Sequence, residues 1–171
     1  VKNVNFEYNS NFSINDLSLT IEENSIFALT GNNGSGKTTL LRLLVGLLKP
    51  NSGTIKVFDE ILTRDKNQLW KLRQRIGFLF QNPDDQLFAP TIEEDIGFGA
   101  RNLGLEEDEV KERVEWALEA VNLTKYRKFS PYDLSWGQKK RAALAGLLVM
   151  KPKLLILDEP FANLDFRSIY N

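Results

Sequence analysis

The run Gly31-Asn32-Asn33-Gly34-Ser35-Gly36-Lys37-Thr38-Thr39 constrains this chain more than any other stretch. It fits the phosphate-loop spacing G-x-x-x-x-G-K-[ST], in which glycines let backbone N–H groups turn inward around a polyphosphate. The apolar residues 25–30 before it predict a buried strand, and residues 39–45 after it predict an apolar helix. A helix opened this way points its first-turn N–H groups and its dipole at an anion. Residues Asn33, Gly34, Ser35, Gly36, Lys37, Thr38 and Thr39 would then wrap the phosphates of a nucleoside triphosphate. Lys37 would reach the β- and γ-phosphates, and the Thr38 hydroxyl would ligate Mg²⁺. The complete motif in strand–loop–helix context argues against a glycine-rich connection that merely turns the chain.

The totals narrow the rest. At 171 residues the chain suits one domain with a substantial core. Its 22 basic and 23 acidic residues leave a net charge of −1, which gives no electrostatic case for nucleic acid. Without cysteine there are no disulfides or thiolate metal sites, as suits a cytosolic protein, and without histidine the commonest general base is missing. The most apolar runs, 40–48 and 142–150, are too short to span a bilayer, and there is no signal-peptide layout. A start at Val1 rather than methionine suggests that a few N-terminal residues are missing.

Period-two alternation in residues 1–8 and 12–21 predicts antiparallel strands flanking the nucleotide strand. Tyr8 on the first would stack on an adenine face for about 1–3 kcal/mol, or be a half-buried strand tyrosine, and spacing alone allows both. Lys49 to Gly53 is a helix stop and turn, followed by a strand at 54–58, a basic helix at 69–75 and an apolar strand at 76–80 that ends at Gln81. The character then becomes helical. Thr91 and Glu94 resemble a capping box, and residues 106–122 form an amphipathic helix with Val110, Val114, Ala117, Leu118 and Val121 on one face. Trp116 falls off that stripe and reads as edge packing. A second helix is expected from Lys139 to Met150, and the apolar run 154–157 predicts a parallel strand covered on both faces.

Asp158 and Glu159 close that strand, at the end where open α/β sheets bind ligands. An aspartate there holds the Mg²⁺ shell, and Glu159 can deprotonate the water that attacks the γ-phosphate. Alone the pair would read as surface acids; beside a complete phosphate loop it reads as the second half of a site.

These residues, with Gln81, Leu134 to Gln138 and Ala162-Asn163-Leu164-Asp165, occur in the order of the ATP-binding-cassette (ABC) ATPases, which the chain resembles from about Val1 to its last residue. The resemblance implies an α/β P-loop NTPase with a RecA-like parallel core (1–81 and 151–171), an N-terminal antiparallel β part and an inserted helical part (82–150). It implies ATP with Mg²⁺, held by Thr38, Gln81 and Asp158, and catalysis by Glu159, Lys37 and Gln81. Tyr8 matches the adenine-stacking aromatic and Asp165 the D-loop aspartate. Ser135, Gly137 and Gln138 match the signature motif, which faces the ATP of a second ABC subunit in a homo- or heterodimer. Residues 81–88 and 91–99 look like the ATPase subunits of energy-coupling-factor and cobalt-type importers of vitamins or transition metal ions. That implies an integral membrane partner, a peripheral place on the cytoplasmic face of the membrane, and ATP-driven dimer closure. No nucleic acid is expected.

Two departures stand out. Trp136 occupies a signature position that usually holds glycine, so its indole either intrudes beside the partner's phosphates or turns away. The family's switch histidine should follow the D-loop, yet the chain has no histidine, so C-terminal strands are expected to be missing and this fragment to be weakly active or inactive. A soluble ABC protein acting on ribosomes or DNA is the other class considered. Neutral charge and the Asn82-to-Phe88 match argue against it. A phosphate-loop kinase or GTPase has no use for the signature or the D-loop.

Overall fold

The alternating residues at the start of the chain do pair. In the computed structural model, which describes residues 1–9, 12–63 and 65–162, β1 (Lys2–Asn9) lies between two antiparallel neighbours. These are β2 (Phe12–Leu17) and β3 (Ser52–Thr54), in the order β2-β1-β3. Val4 faces Leu17 and Phe6 faces Ile14, and the buried Val4 and Phe6 give this sheet its apolar side. After the glycine loop comes α1 (Lys37–Leu44), which buries Thr39, Leu40 and Leu43. A short hairpin, β4 (Lys56–Val57) with β5 (Glu60–Ile61), turns through Phe58 and Asp59, both at positive φ. Helix α2 (Lys66–Arg73) closes this first compact unit, Val1–Arg73.

The strand expected at residues 25–30 is absent. That stretch carries no ladder, Ile26 is fully exposed and Phe27 nearly half so. An apolar run becomes a strand only when its N–H and C=O groups find partners, and no described strand pairs with it. The second expected strand likewise stops at Leu17 instead of continuing to Ile21.

The second unit begins at Gln74. Its sheet is a parallel pair, β6 (Ile76–Leu79) and β7 (Leu154–Leu157), in strict register from Ile76↔Leu154 to Leu79↔Leu157. Between them run α3 (Ile92–Asn102), α4 (Glu107–Ala120) and α5 (Trp136–Leu148). The predicted face of α4 is the observed one, since Val110, Val114, Ala117 and Leu118 pack with Ile92 and Ile96 of α3 and Ala142 and Ala145 of α5. Truncating a fully buried leucine such as Leu118 to alanine costs about 2–5 kcal/mol. Trp116 is half exposed beside Arg113 and Lys151, at the edge of this core.

One detail follows expectation and two depart from it. Thr91 caps α3 as read, its hydroxyl accepting from the Glu94 N–H at 3.4 Å. Helix α5, however, starts at Trp136 rather than Lys139. Ser135 is its N-cap, and Ser135 and Gln138 form a reciprocal capping box (Ser135 N–H to Gln138 Oε1, 2.8 Å; Gln138 N–H to Ser135 Oγ, 3.4 Å). Strand β7 is not covered on both faces, because Leu155 is 37% exposed.

Candidate functional site

In the first unit the glycine loop is shaped by its own lysine. Lys37 is the first residue of α1, and its ammonium donates to the carbonyls of Gly31 (2.8 Å) and Asn32 (3.0 Å). The Ser35 N–H turns back to the Asn32 carbonyl at 3.2 Å. Gly36 caps α1 in the left-handed region (φ 93°) and supplies no side-chain cap. A Cβ on Gly36 would also stand 2.6 Å from the Phe12 ring, so that position excludes side chains twice over. Residues 31–35 are exposed, Lys37 and Thr38 half-buried and Thr39 buried. This is an open, amide-rich helix start with a cation at its mouth, which is what a polyphosphate requires.

Tyr8 belongs to the same neighbourhood. Its ring stands 6.1 Å from Phe12 and edge-on to Phe6 at 4.8 Å, and half its surface is exposed. Phe12 in turn touches the Gly36 position, so an aromatic row leads from the loop to the open Tyr8 face. The strand reading gave Phe12 no role.

In the second unit, Gln81 follows β6 and Asp158-Glu159 follow β7, so parallel register places them side by side. The Gln81 amide Nε2 donates to Glu159 Oε2 at 2.9 Å across 78 residues of sequence. Asp158 is buried, with its N–H on the Leu79 carbonyl at 3.0 Å. Glu159 sits at φ 47°, a conformation that is costly outside glycine and clusters at functional sites. Gln81, Asp158 and the Thr38 hydroxyl are hard oxygen donors of the kind Mg²⁺ takes. Thr38 lies in the first unit and the other two in the second.

Several residues that carry this arrangement were not legible as functional. Gln86 accepts from the Phe80 N–H (3.2 Å) and donates to the Ala143 carbonyl (3.3 Å), pinning the Gln81 loop to α5. Lys139 binds Asp84 at 2.6 Å, and Asn82 caps the 3-10 turn Pro83–Asp85. The buried Asp95 accepts from the Phe88 and Ala89 N–H groups at 2.7 Å each. Lys140 is 3% exposed and donates to the Glu159 carbonyl and, at 3.4 Å, to the Ala162 carbonyl. Burial pushes its ammonium below the usual lysine range, with Glu159 and Asp158 pulling the other way.

At the signature, Ser135 and Gln138 are occupied with each other in the capping box, and Gly137 is the second residue of α5. The Trp136 indole is half-buried, and its Nε1 is shielded without an acceptor among the described residues. Asp165 lies outside the described residues. No group of three or more acidic side chains could hold a metal, and no helix is long and apolar enough to cross a membrane, among the described residues.

The chain resembles known proteins along nearly all of its length. The family profile described as ABC transporter matches residues 14–162. The energy-coupling factor transporter ATP-binding protein EcfA of Methanosphaera stadtmanae is 46% identical over 165 residues, covering 96% of this chain and 59% of the relative. The corresponding EcfA1 of Clostridium novyi is 43% identical over 169 residues, covering 96% and 60%. The chain thus spans about three fifths of the length of these curated relatives. Among solved structures, cbiO1 of Clostridium perfringens, part of the ABC transporter complex cbiONQ, superposes with a TM-score of 0.87 at 40% identity, over 99% of this chain and 68% of that one. A dimeric ATP-binding cassette in a post-hydrolysis state with ADP and phosphate gives a TM-score of 0.87 at 27% identity, over 98% and 76%.

Proposed function

The chain belongs to the ABC transporter family, with the α/β P-loop NTPase fold of its ATPase domains, and from that premise we propose that it binds and hydrolyses ATP to drive an importer of the energy-coupling-factor type. The cargo class is a vitamin or a transition metal ion. The observation that carries the catalytic half is the Gln81–Glu159 hydrogen bond, which joins the ends of two parallel strands where a nucleotide would lie.

The roles follow from chemistry. Lys37 exchanges the Gly31 and Asn32 carbonyls for β- and γ-phosphate oxygens, while the amides opening α1 take the remaining charge. Tyr8 offers its open face to the adenine. Thr38, Gln81 and Asp158 would supply oxygens to Mg²⁺, which when bound would neutralise phosphate charge. Glu159 accepts a proton from the attacking water. Ser135 and the Gly137 N–H, at the mouth of α5, face the ATP of a second ABC subunit, with Gln138 holding Ser135 in place. ATP held between the two closes the dimer and hydrolysis releases it.

The Phe88–Phe98 pair supports an integral membrane partner, since both rings are exposed, edge to face at 4.8 Å, beside the Gln81 loop. The protein would then sit peripherally on the cytoplasmic face of the membrane, its core formed by residues 1–81 and 151–171 and its coupling part by 82–150. Balanced charge supports the absence of nucleic acid.

Glu159→Gln in the full-length protein tests the reading. Turnover should fall about 100- to 10,000-fold with ATP affinity retained and the ATP-bound dimer longer-lived. Turnover within about twofold of wild type would remove Glu159 as the base.

A further inference from the structure

Glu159 is gripped at both ends. Its carboxylate accepts from Gln81, while its carbonyl accepts from the Lys140 ammonium and from the Ala162 N–H at 3.1 Å. Between those grips the residue holds φ at 47°, which costs a non-glycine residue about 1–3 kcal/mol unless its surroundings fix it. Lys140 is an expensive device for that purpose, because a buried ammonium gives up its hydration. A lysine needed only for packing would be better replaced by an apolar side chain of similar volume.

Lys140 also has a particular place. It lies five residues into α5 from the cap Ser135, about 8 Å along the same rigid helix. The end of α5 that carries the signature and the group that holds the hydrolytic glutamate therefore move as one body. We infer that Lys140 is a positioning residue that fixes the Glu159 main chain in its left-handed conformation and thereby ties the signature helix of this chain to this chain's own general base. Occupation of the signature by a partner's ATP would be read out as a change in Glu159 geometry, through Lys140. The inference rests on Glu159 being the base.

The test uses the full-length protein and compares Lys140→Met, Lys140→Arg and Glu159→Gln, alone and combined. Lys140→Met should lower kcat about 10- to 100-fold, the scale of a misplacement near 1 Å, with the Kd for ATP and KM within about twofold. Its melting temperature should stay level or rise, whereas loss of a merely structural lysine would lower it together with activity. Lys140→Arg, which keeps the cationic donor, should recover kcat to within about fivefold of wild type. Adding Lys140→Met to Glu159→Gln should cost nothing further, because both changes disable one group.

Lys140→Met with wild-type kcat, or a loss that adds in full to that of Glu159→Gln, overturns the inference while leaving the base assignment intact. Wild-type turnover in Glu159→Gln overturns the base assignment and the inference with it. If the Met variant lacks a cooperative melt, Lys140→Gln, whose shorter side chain gives up the reach to the Glu159 carbonyl, should show the same kcat loss with Kd retained, and wild-type kcat in it overturns the inference.

Discussion

The glycine loop and the ends of β6 and β7 are held together in opposite ways. Residues 31–37 are closed by contacts no more than six positions apart, from one ammonium and one turn. The Gln81–Glu159 region is assembled from distant parts of the chain. Gln81 meets Glu159 across 78 positions, Lys139 meets Asp84 across 55, and Gln86 meets Ala143 across 57. The first region, on the function proposed, binds and supports little of the fold. The second is a geometry that the fold of its unit must supply. Changes in the first should therefore cost affinity, and changes in the second should cost turnover or stability, according to which partner is cut.

The largest effect expected is at Lys37. Lys37→Ala would remove the charge-assisted contacts proposed to phosphate and should weaken ATP binding at least about 100-fold by calorimetry, with the melting temperature nearly unchanged. An equal loss of stability would break the contrast. Asp95→Ala comes next. Two amides of the Phe88 loop lose a buried carboxylate, so chemical denaturation should show a loss of about 2–4 kcal/mol with the Kd for ATP unmoved. Ser135→Ala opens the capping box of α5 and should cost about 1 kcal/mol.

The smallest effect is at Glu93, whose carboxyl is held below its ordinary value by the Lys128 hydrogen bond and then by Arg127, against a desolvation that raises it. A depressed folded-state pKa contributes stability above the unfolded value that is lost as pH falls through the folded one. Denaturation midpoints should thus drop on the acid side of the ordinary carboxylate range in wild type, and less steeply in Glu93→Gln.

The same division explains what the sequence disclosed. The loop was legible because nine consecutive residues specify its geometry by themselves. The face of α4 was legible because period 3.6 records which side is buried, and β6 and β7 because both are short apolar runs with turns after them. Residues 25–30 misled because apolarity does not supply strand partners, and Ile26 and Phe27 are left exposed. The start of α5 was misplaced although Ser135 and Gln138 carry the S-x-x-Q spacing, since Trp136 and Gly137 are weak helix formers. Lys140, Gln86 and Asp95 were invisible because a buried polar side chain takes its meaning from the backbone groups it meets. Those groups are brought to it by folding.

The contact of Lys37 with the Gly31 and Asn32 carbonyls has one more consequence. On the function proposed, the ammonium is a placeholder that would keep the cradle at working width before any guest arrives. Entry of a nucleotide would then swap ligands on an existing frame and order little chain. Association should carry a small conformational-entropy penalty, and the rate of capture should depend more on ionic strength than on loop motion.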